Sequence, residues 1–447
     1  MKIIIAGAGE VGYHLAKMLA DEEHDIFLID KNEDALEHAQ GHLDVNTIRG
    51  NSISITTLEN AGIEQTDMLI AATSSEETNI TTAIIGKKMG AKRVIARISN
   101  PEFQTDRDKL DLEELGIDAM VFPEDLAAKE MYRLVKRSSL TDSFEFGNGR
   151  LTLTGVILED EAPLIEKNIV EAVQLIPGLN FTVVAIQRKN KTIIPRGDTR
   201  FLPGDHIYFI SHPERLGDIM NLTGKRKVQI RNIMILGGGL IAELFAKKTQ
   251  HKYNVKLIEG DKDRCFELAN ALNQTLVIHG DGSDVELLEE EGISEMDAFV
   301  SVTQNSDTNI ISSLVARNHG VTRTIALVEN IDYISLSQNI GIDTLINKKL
   351  ITVNNIFRYV REGKVAALTS LHGVDSEILE FIVHKNSKIT EAPIRDLIDF
   401  PRQAVIGGII RGKKAMIATG NLQIQEHDHV VVFTLTSAIH KIEDFFK

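Results

Sequence analysis

Ile3-Ile4-Ile5-Ala6-Gly7-Ala8-Gly9-Glu10-Val11-Gly12 decides how this chain is read. An apolar strand that runs into G-x-G-x-x-G is a phosphate-binding turn that opens a helix. Gly7 permits the sharp exit from the strand, and Gly9 removes the side chain that would block a pyrophosphate. Gly12 lets the following helix pack close to the sheet. A degraded copy, Ile233-Met234-Ile235-Leu236-Gly237-Gly238-Gly239-Leu240-Ile241-Ala242, follows at an offset of 237 − 7 = 230 residues, about half of the 447-residue chain. The chain therefore reads as a tandem duplication of a nucleotide-binding unit, with little sequence left for a separate substrate domain.

Working outward, short apolar runs alternate with helical periodicity. Strands are expected at 3–6, 25–30, 47–50, 68–71, 93–97 and 119–122, and helices at 11–20, 33–40, 53–61 and 76–89. That alternation predicts a parallel, doubly wound sheet. The second half repeats the order: Val255–Glu259 over Ile26–Asp30, Leu276–Asp281 over Asn46–Asn51, Ala298–Asn309 over Met68–Asn79, and Arg323–Leu327 over Arg93–Arg97. Matches at a nearly fixed offset are the signature of an internal repeat.

A different pattern follows each unit. Leu151, Leu153, Gly155 and Ile157 alternate as a strand does, 166–175 reads as a helix, and Pro177-Gly178 as a turn. Residues 181–188 and 192–195 read as a hairpin, and Pro203-Gly204-Asp205 turns into a strand at 206–210. Val405–Arg411 and Asp428-His429 echo this module near the end of the chain, and Gly224-Lys225-Arg226-Lys227 reads as a solvated linker. The expected fold class is α/β: two Rossmann-like doubly wound parallel sheets (1–135 and 228–355), each followed by a small α+β lobe (140–224 and 367–447).

Composition narrows the function. A net charge of −15 argues against nucleic acid, which needs a basic footprint, and against an anionic lipid surface. It leaves open docking on the Lys/Arg-rich cytoplasmic loops of a membrane protein. No apolar run reaches the ~18–20 residues of a spanning helix, and Glu10 cuts short the one stretch that resembles a signal peptide. Cys265 is the only cysteine, which suits a reducing cytoplasm and reads as a buried small hydrophobe.

The strand ends carry the chemistry. Asp30 stands where a carboxylate accepts from ribose hydroxyls and repels a 2′-phosphate, so NAD(H) or ATP/ADP is favoured over NADP. The candidate cofactor-binding residues of the first unit are Gly7, Ala8, Gly9, Glu10, Val11, Asp30, Asn51, Thr73, Ser74 and Arg97. The amides at Gly9–Val11 supply donors and a favourable dipole, and Arg97 ends a strand where a guanidinium can clamp phosphate or form a surface ion pair. Thr73 and Ser74 are candidate nucleotide contacts or a plain turn, and Asn51, like Asp281 in the second half, could approach an adenine. In the second unit the candidates are Gly237, Gly238, Gly239, Leu240, Ile241 and Glu259; Ala242 replaces the third glycine, Glu259 the aspartate, and Leu327 the arginine. There is no nucleophile elbow, H-E-x-x-H, Cys/His metal spacing or Tyr-x-x-x-Lys pair, so no catalytic or metal-binding residue is expected. His14, His24, His38 and His42 read as helical surface polarity, and the matched His206 and His429 as fold or interface residues.

Nucleotide unit, small lobe, nucleotide unit, small lobe: this order resembles the peripheral subunits of bacterial Trk potassium-uptake systems (the TrkA family). The carrying motifs are Gly7–Gly12 with Asp30, Ala71-Ala72-Thr73-Ser74, Arg97, and Pro195-Arg196-Gly197-Asp198-Thr199 with Pro203-Gly204-Asp205. The last two resemble the signature of the C-terminal lobe of RCK proteins, the regulators of potassium conductance. The resemblance implies a peripheral subunit at the cytoplasmic face of the cell membrane, with no direct membrane insertion. It implies a homotetrameric ring of eight nucleotide units, bound to an integral-membrane potassium-translocating subunit and gating it through ATP/ADP or NAD(H). Glu426 and His427 depart from Pro203 and Gly204 in the last lobe. The rival reading, an NAD-dependent oxidoreductase with duplicated Rossmann domains, requires a general acid or base that the sequence does not offer.

Overall fold

The computed structural model describes residues 1–20, 24–105, 112–136, 142–147, 149–175, 181–189, 191–224, 229–330, 333, 342–360, 365–370 and 376–447. The expected turn at Pro177-Gly178 and the linker residues Lys225-Arg226-Lys227 lie outside them. The first sheet contains β1 (Lys2–Ala6), β2 (Asp25–Asp30), β3 (Asn46–Arg49), β4 (Met68–Ala71), β5 (Arg93–Arg97) and β6 (Ala119–Val121). Its order is β3-β2-β1-β4-β5-β6 with every pairing parallel. Chain direction across the sheet reverses between β1 and β4, and a crevice opens there beyond the strands' carboxyl ends.

The first lobe is an antiparallel sheet of β7 (Asp142–Phe146), β8 (Leu151–Ile157), β9 (Phe181–Arg188), β10 (Lys191–Ile193) and β11 (His206–Ser211). The second half repeats both parts. β12 (Asn232–Leu236), β13 (Asn254–Glu259), β14 (Thr275–His279), β15 (Ala298–Ser301), β16 (Arg323–Leu327) and β17 (Thr344–Ile346) form the order β14-β13-β12-β15-β16-β17. β18 (Val365–Ser370), β19 (Ser376–Ile382), β20 (Ala404–Arg411), β21 (Lys414–Ile417) and β22 (His429–Leu435) form the last sheet.

Local chemistry sets the edges of these elements. The helix expected over 166–175 is shorter, Ile169–Gln174, because Asn168 and Glu171 form a reciprocal capping box. Before it, Glu166 has a left-handed φ of 63° and donates its N–H to the Phe201 carbonyl at 2.9 Å. β7 is a strand that the sequence pattern did not reveal. β8 buries every residue but Ile157, rather than one face only. Leu151 and Leu153 pack with Ile378, Ile410, Val431 and Phe433 of the other lobe, while Val156 packs with Met220. The two lobes close on each other where a Cβ at Gly407 would stand 2.1 Å from Ile210 Cδ1, and one at Gly408 2.6 Å from Leu151 Cδ1.

Two helices cross between the halves. Helix Pro123–Lys136 follows β6, yet Ala127, Ala128, Met131, Leu134 and Val135 belong to a core with Ile233, Ile235 and Phe245 of the second unit. Helix Lys348–Val360 follows β17, and Val353, Ile356, Phe357 and Val360 join Ile3, Ile5 and Leu15 of the first unit. Burying a side chain of this size is worth about 1.5–3 kcal/mol, so four hold this helix in place by on the order of 6 kcal/mol.

Candidate nucleotide site

The glycine turn is built as its spacing requires. Gly7 has φ +111°, and an added Cβ would stand 3.0 Å from the backbone of Ala72 and Thr73. A Cβ on Gly12 would lie 1.8 Å from the Gly7 carbonyl oxygen, so helix Glu10–Ala20 can approach the turn only with glycine there. A Cβ on Gly9 would meet nothing within 4 Å, so the glycine opens onto free space. Tyr13 donates its N–H to the Gly9 carbonyl at 2.8 Å, which leaves the amides of the helix's first turn without helical acceptors.

That free space is a cleft of about 460 Å³ at the carboxyl ends of β1 to β5. Gly7, Gly9, Glu10, Val11, Asp30, Asn51, Thr73, Ser74 and Arg97 line it, nine of the ten residues expected in the first unit. Ala8 does not: its N–H donates to Asp30 Oδ2 at 2.6 Å. Asp30 Oδ1 accepts from the Asn32 N–H at 2.8 Å, so backbone donors aim the carboxylate while lone pairs remain for a ligand hydroxyl. Among the described residues no carboxylate pairs with the Arg97 guanidinium, which leaves it available to an anion.

Asn79 is a positioning residue that lies outside the sequence motifs. Its side chain is 1% exposed; Oδ1 accepts from the Thr73 N–H at 2.8 Å and Thr73 Oγ1 at 2.7 Å. Nδ2 donates to the carbonyls of Thr73 at 3.1 Å and Arg97 at 3.0 Å, tying two walls of the cleft together. Asn309 repeats the arrangement on Thr303 and Leu327. Thr78-Asn79 and Thr308-Asn309 recur in the two halves, and that repeat is the signal the sequence offers for these asparagines.

Three further lining residues come from the second half: Glu329, Lys348 and Lys349. Lys349 Nζ lies 2.7 Å from Glu10 Oε2 and 3.0 Å from Glu329 Oε2, and Lys348 Nζ lies 3.1 Å from Glu124 Oε1. Burial acts to lower the Lys349 pKa, but hydrogen bonds to Glu10 and Glu329 outweigh it and hold the ammonium above its ordinary range. Their distance along the chain hid these residues from any local motif.

The second turn differs in detail. Gly237 has φ +100° and a Cβ on Gly239 would meet nothing within 4 Å, as at Gly7 and Gly9. Glu259 carries one methylene more than Asp30 and accepts from the Gly238 N–H and, at 2.8 Å, from Asp261. A Cβ at Gly238 would stand 2.9 Å from Glu259 Cγ, so the exchange of Ala8 for Gly238 makes room for the longer acid. Arg264 donates to the Gly238 carbonyl at 2.8 Å, to Glu243 at 2.6 Å and to Glu267 at 2.8 Å, bolting the turn to its neighbours. Asp281 turns onto Ser283, whose backbone and hydroxyl hydrogen bonds hold its carboxyl below the usual range. Leu240 and Ile241 open helix Leu240–Thr249.

In the lobes, the aspartate that closes the expected signature, Asp205, and its counterpart Asp428 are structural. Asp205, 1% exposed, accepts from Arg188 Nε and Nη2 at 2.8 Å each and from the Leu202 N–H at 2.9 Å. Asp428 holds Arg411 and the Gln425 N–H in the same way. His427 takes the left-handed conformation of Gly204, φ 66° against 74°, so the turn survives the substitution.

A duplicated doubly wound unit with a glycine turn, a strand-end acid and an antiparallel lobe after each sheet defines a tandem nucleotide-fold protein. The TrkA-N domain model matches residues 3–123 and 233–348, and the TrkA-C domain model matches 153–224 and 378–447. The Trk system potassium uptake protein TrkA homolog 1 of Methanosarcina mazei is 33% identical, with 100% of each chain covered. The Trk system potassium uptake protein TrkA of Haemophilus influenzae is 34% identical over 97% of this chain and 95% of its own. The chain belongs to the TrkA family. Among solved structures, the GsuK RCK domain superimposes with a TM-score of 0.60 at 15% identity, covering 100% of this chain and 94% of that one. The GsuK channel bound to NAD does so at 0.60 and 15%, covering 100% and 78%.

Proposed function

We propose that this protein is a regulatory, non-enzymatic gating subunit of a Trk-type potassium-uptake system, and that nucleotide binding in the first unit biases its conformation. The observation that carries the proposal is the cleft at Gly7–Val11, which the second half of the chain helps to line. A ligand there touches both halves, and a ligand shifts an equilibrium only through different contacts in the two states. ATP/ADP and NAD(H) fit the donor set: first-turn amides and Arg97 for phosphates, Asp30 for ribose hydroxyls. The relatives' names, as Trk system potassium uptake proteins, and the NAD-bound GsuK channel of the same fold support the reading. The second turn, with Gly237 to Ile241 and Glu259, serves as a nucleotide site without the strand-end arginine.

The working units are 1–135, 140–224, 228–355 and 367–447, with the two crossing helices exchanged between sheets. Four chains assemble a ring with eight nucleotide units beneath an integral-membrane potassium-translocating partner, at the inner face of the cell membrane. Among the described residues no helix is long and apolar enough to cross a membrane, so the partner supplies the pore. An oxidoreductase would need a proton-transfer group placed beside the cofactor; the relatives' names, as potassium uptake proteins, favour the gating reading.

The test reconstitutes the cognate membrane subunit in liposomes and follows potassium flux with and without this protein, in ATP and then in ADP. Binding to the membrane subunit and a nucleotide-dependent flux are expected. A monomer by light scattering that leaves flux unchanged in every nucleotide overturns the proposal.

A further inference from the structure

We propose that Lys349, assisted by Lys348, is a phosphate clamp supplied by the second half to the nucleotide of the first, and that it counts the ligand's phosphates. The inference rests on the first unit's cleft being a nucleotide site. Four cationic side chains line that cleft: Lys31 and Arg97 from the first unit, and Lys348 and Lys349 from the second. Glu10 and Glu329 hold Lys349 from opposite halves, and both carboxylates line the same cleft.

Glu10 is the first residue of the glycine helix, so its carboxylate belongs to the element whose amides receive phosphate. A phosphate there repels the Glu10 carboxylate and attracts the Lys349 ammonium. The ammonium then exchanges a carboxylate partner for a phosphate oxygen, with no covalent bond made or broken. A chain of two or three phosphates carries more charge and reaches further than one, so the exchange is strongest for ATP, weaker for ADP and weakest for AMP.

The lysine sits at the start of helix Lys348–Val360, whose Val353, Ile356, Phe357 and Val360 are buried in the first unit's core. That helix is joined through β17 to the second sheet, so a pull on Lys349 acts directly on the connection between the halves. Glu329 lies two residues beyond β16, and its carbonyl accepts from Asn347 Nδ2 at 3.0 Å, linking the residue before the helix to the same carboxylate-bearing loop.

The test is titration calorimetry on the full chain with ATP, ADP, AMP and NADH, without divalent cations, for the wild type and for Lys349→Gln, Lys349→Arg, Glu329→Gln and Asp30→Ala. Lys349→Gln should weaken ATP about 10- to 100-fold, the size of a lost charge-assisted hydrogen bond, and leave AMP within about twofold. Lys349→Arg should restore most of the ATP affinity, and Glu329→Gln should raise it by releasing the ammonium. A purely structural lysine would weaken ATP and AMP alike, and that outcome, or no loss for ATP, overturns the clamp. If Asp30→Ala weakens every nucleotide while Lys349→Gln weakens none, the site stands and the clamp falls. If the wild type binds no nucleotide, both fall together.

Discussion

Asp125 Oδ1 lies 3.1 Å from Lys248 Nζ, an ion pair between a helix that follows the first sheet and a helix of the second unit. Lys129 reaches Asp125 Oδ2 at 2.6 Å, so one carboxylate holds two ammonium groups where the halves meet. It sits beside Ala127, Ala128 and Met131, the apolar residues that carry the crossing helix into the other core. The polar pair fixes the register of a contact whose energy comes from apolar burial.

Acid should loosen this junction. Burial acts to raise the Asp125 pKa, but the hydrogen bonds from Lys129 and Lys248 outweigh it and hold the carboxyl below 3.8. A folded-state pKa below the unfolded one gives stability that is present above the unfolded value and lost as pH falls through the folded one. Glu243, held below 4.5 against its burial by Lys247 and Arg264, acts in the same sense. Denaturant midpoints should therefore fall as pH drops below about 4.5, and Asp125→Asn should shrink that fall. An unchanged pH profile in the variant would remove Asp125 from the account.

Asp30→Ala should weaken NADH and ATP together, by about 1–3 kcal/mol, because both carry the ribose hydroxyls the carboxylate accepts. The same change frees the Ala8 N–H, so thermal unfolding should be followed beside calorimetry to separate the two effects. Unchanged affinity for both ligands contradicts the ribose assignment.

Arg97→Leu places in the first unit the residue that Leu327 already is in the second. It should cost more for ATP than for adenosine, since only ATP offers phosphate oxygens to the guanidinium. Equal losses measured by calorimetry would make Arg97 a structural residue.

Gly12→Ala should disturb the first unit although its counterpart in the second is Ala242. The added methyl would meet the Gly7 carbonyl oxygen at 1.8 Å, so the helix must shift away from the turn. Overpacking of this kind costs about 1–3 kcal/mol, and nucleotide affinity should fall with it. A variant of wild-type stability and affinity would show that the helix has room to retreat.

Asp205→Ala should destabilise the first lobe by about 3 kcal/mol, because it leaves the Arg188 guanidinium without its bidentate partner and the Leu202 N–H unpaired. Arg188 reaches solvent, which keeps the cost at the low end for a buried pair. Asp428→Ala should do the same to the second lobe through Arg411. Urea denaturation of the full chain measures both.

The amino-acid sequence by itself determined the parts. Gly7, Gly9, Gly12 and Asp30 lie within one strand–helix–strand stretch, and their roles follow from turn sterics and period, which act over a few residues. The duplication was legible for the same reason, since each unit repeats its local pattern. Tertiary structure decided which sheet each crossing helix covers. The apolar stripe of Pro123–Lys136 demands a partner without naming one, and two sheets of similar pattern are available to it. That choice carries Lys349 across 339 positions of chain to Glu10, and it completes a cleft whose walls no local motif could have joined.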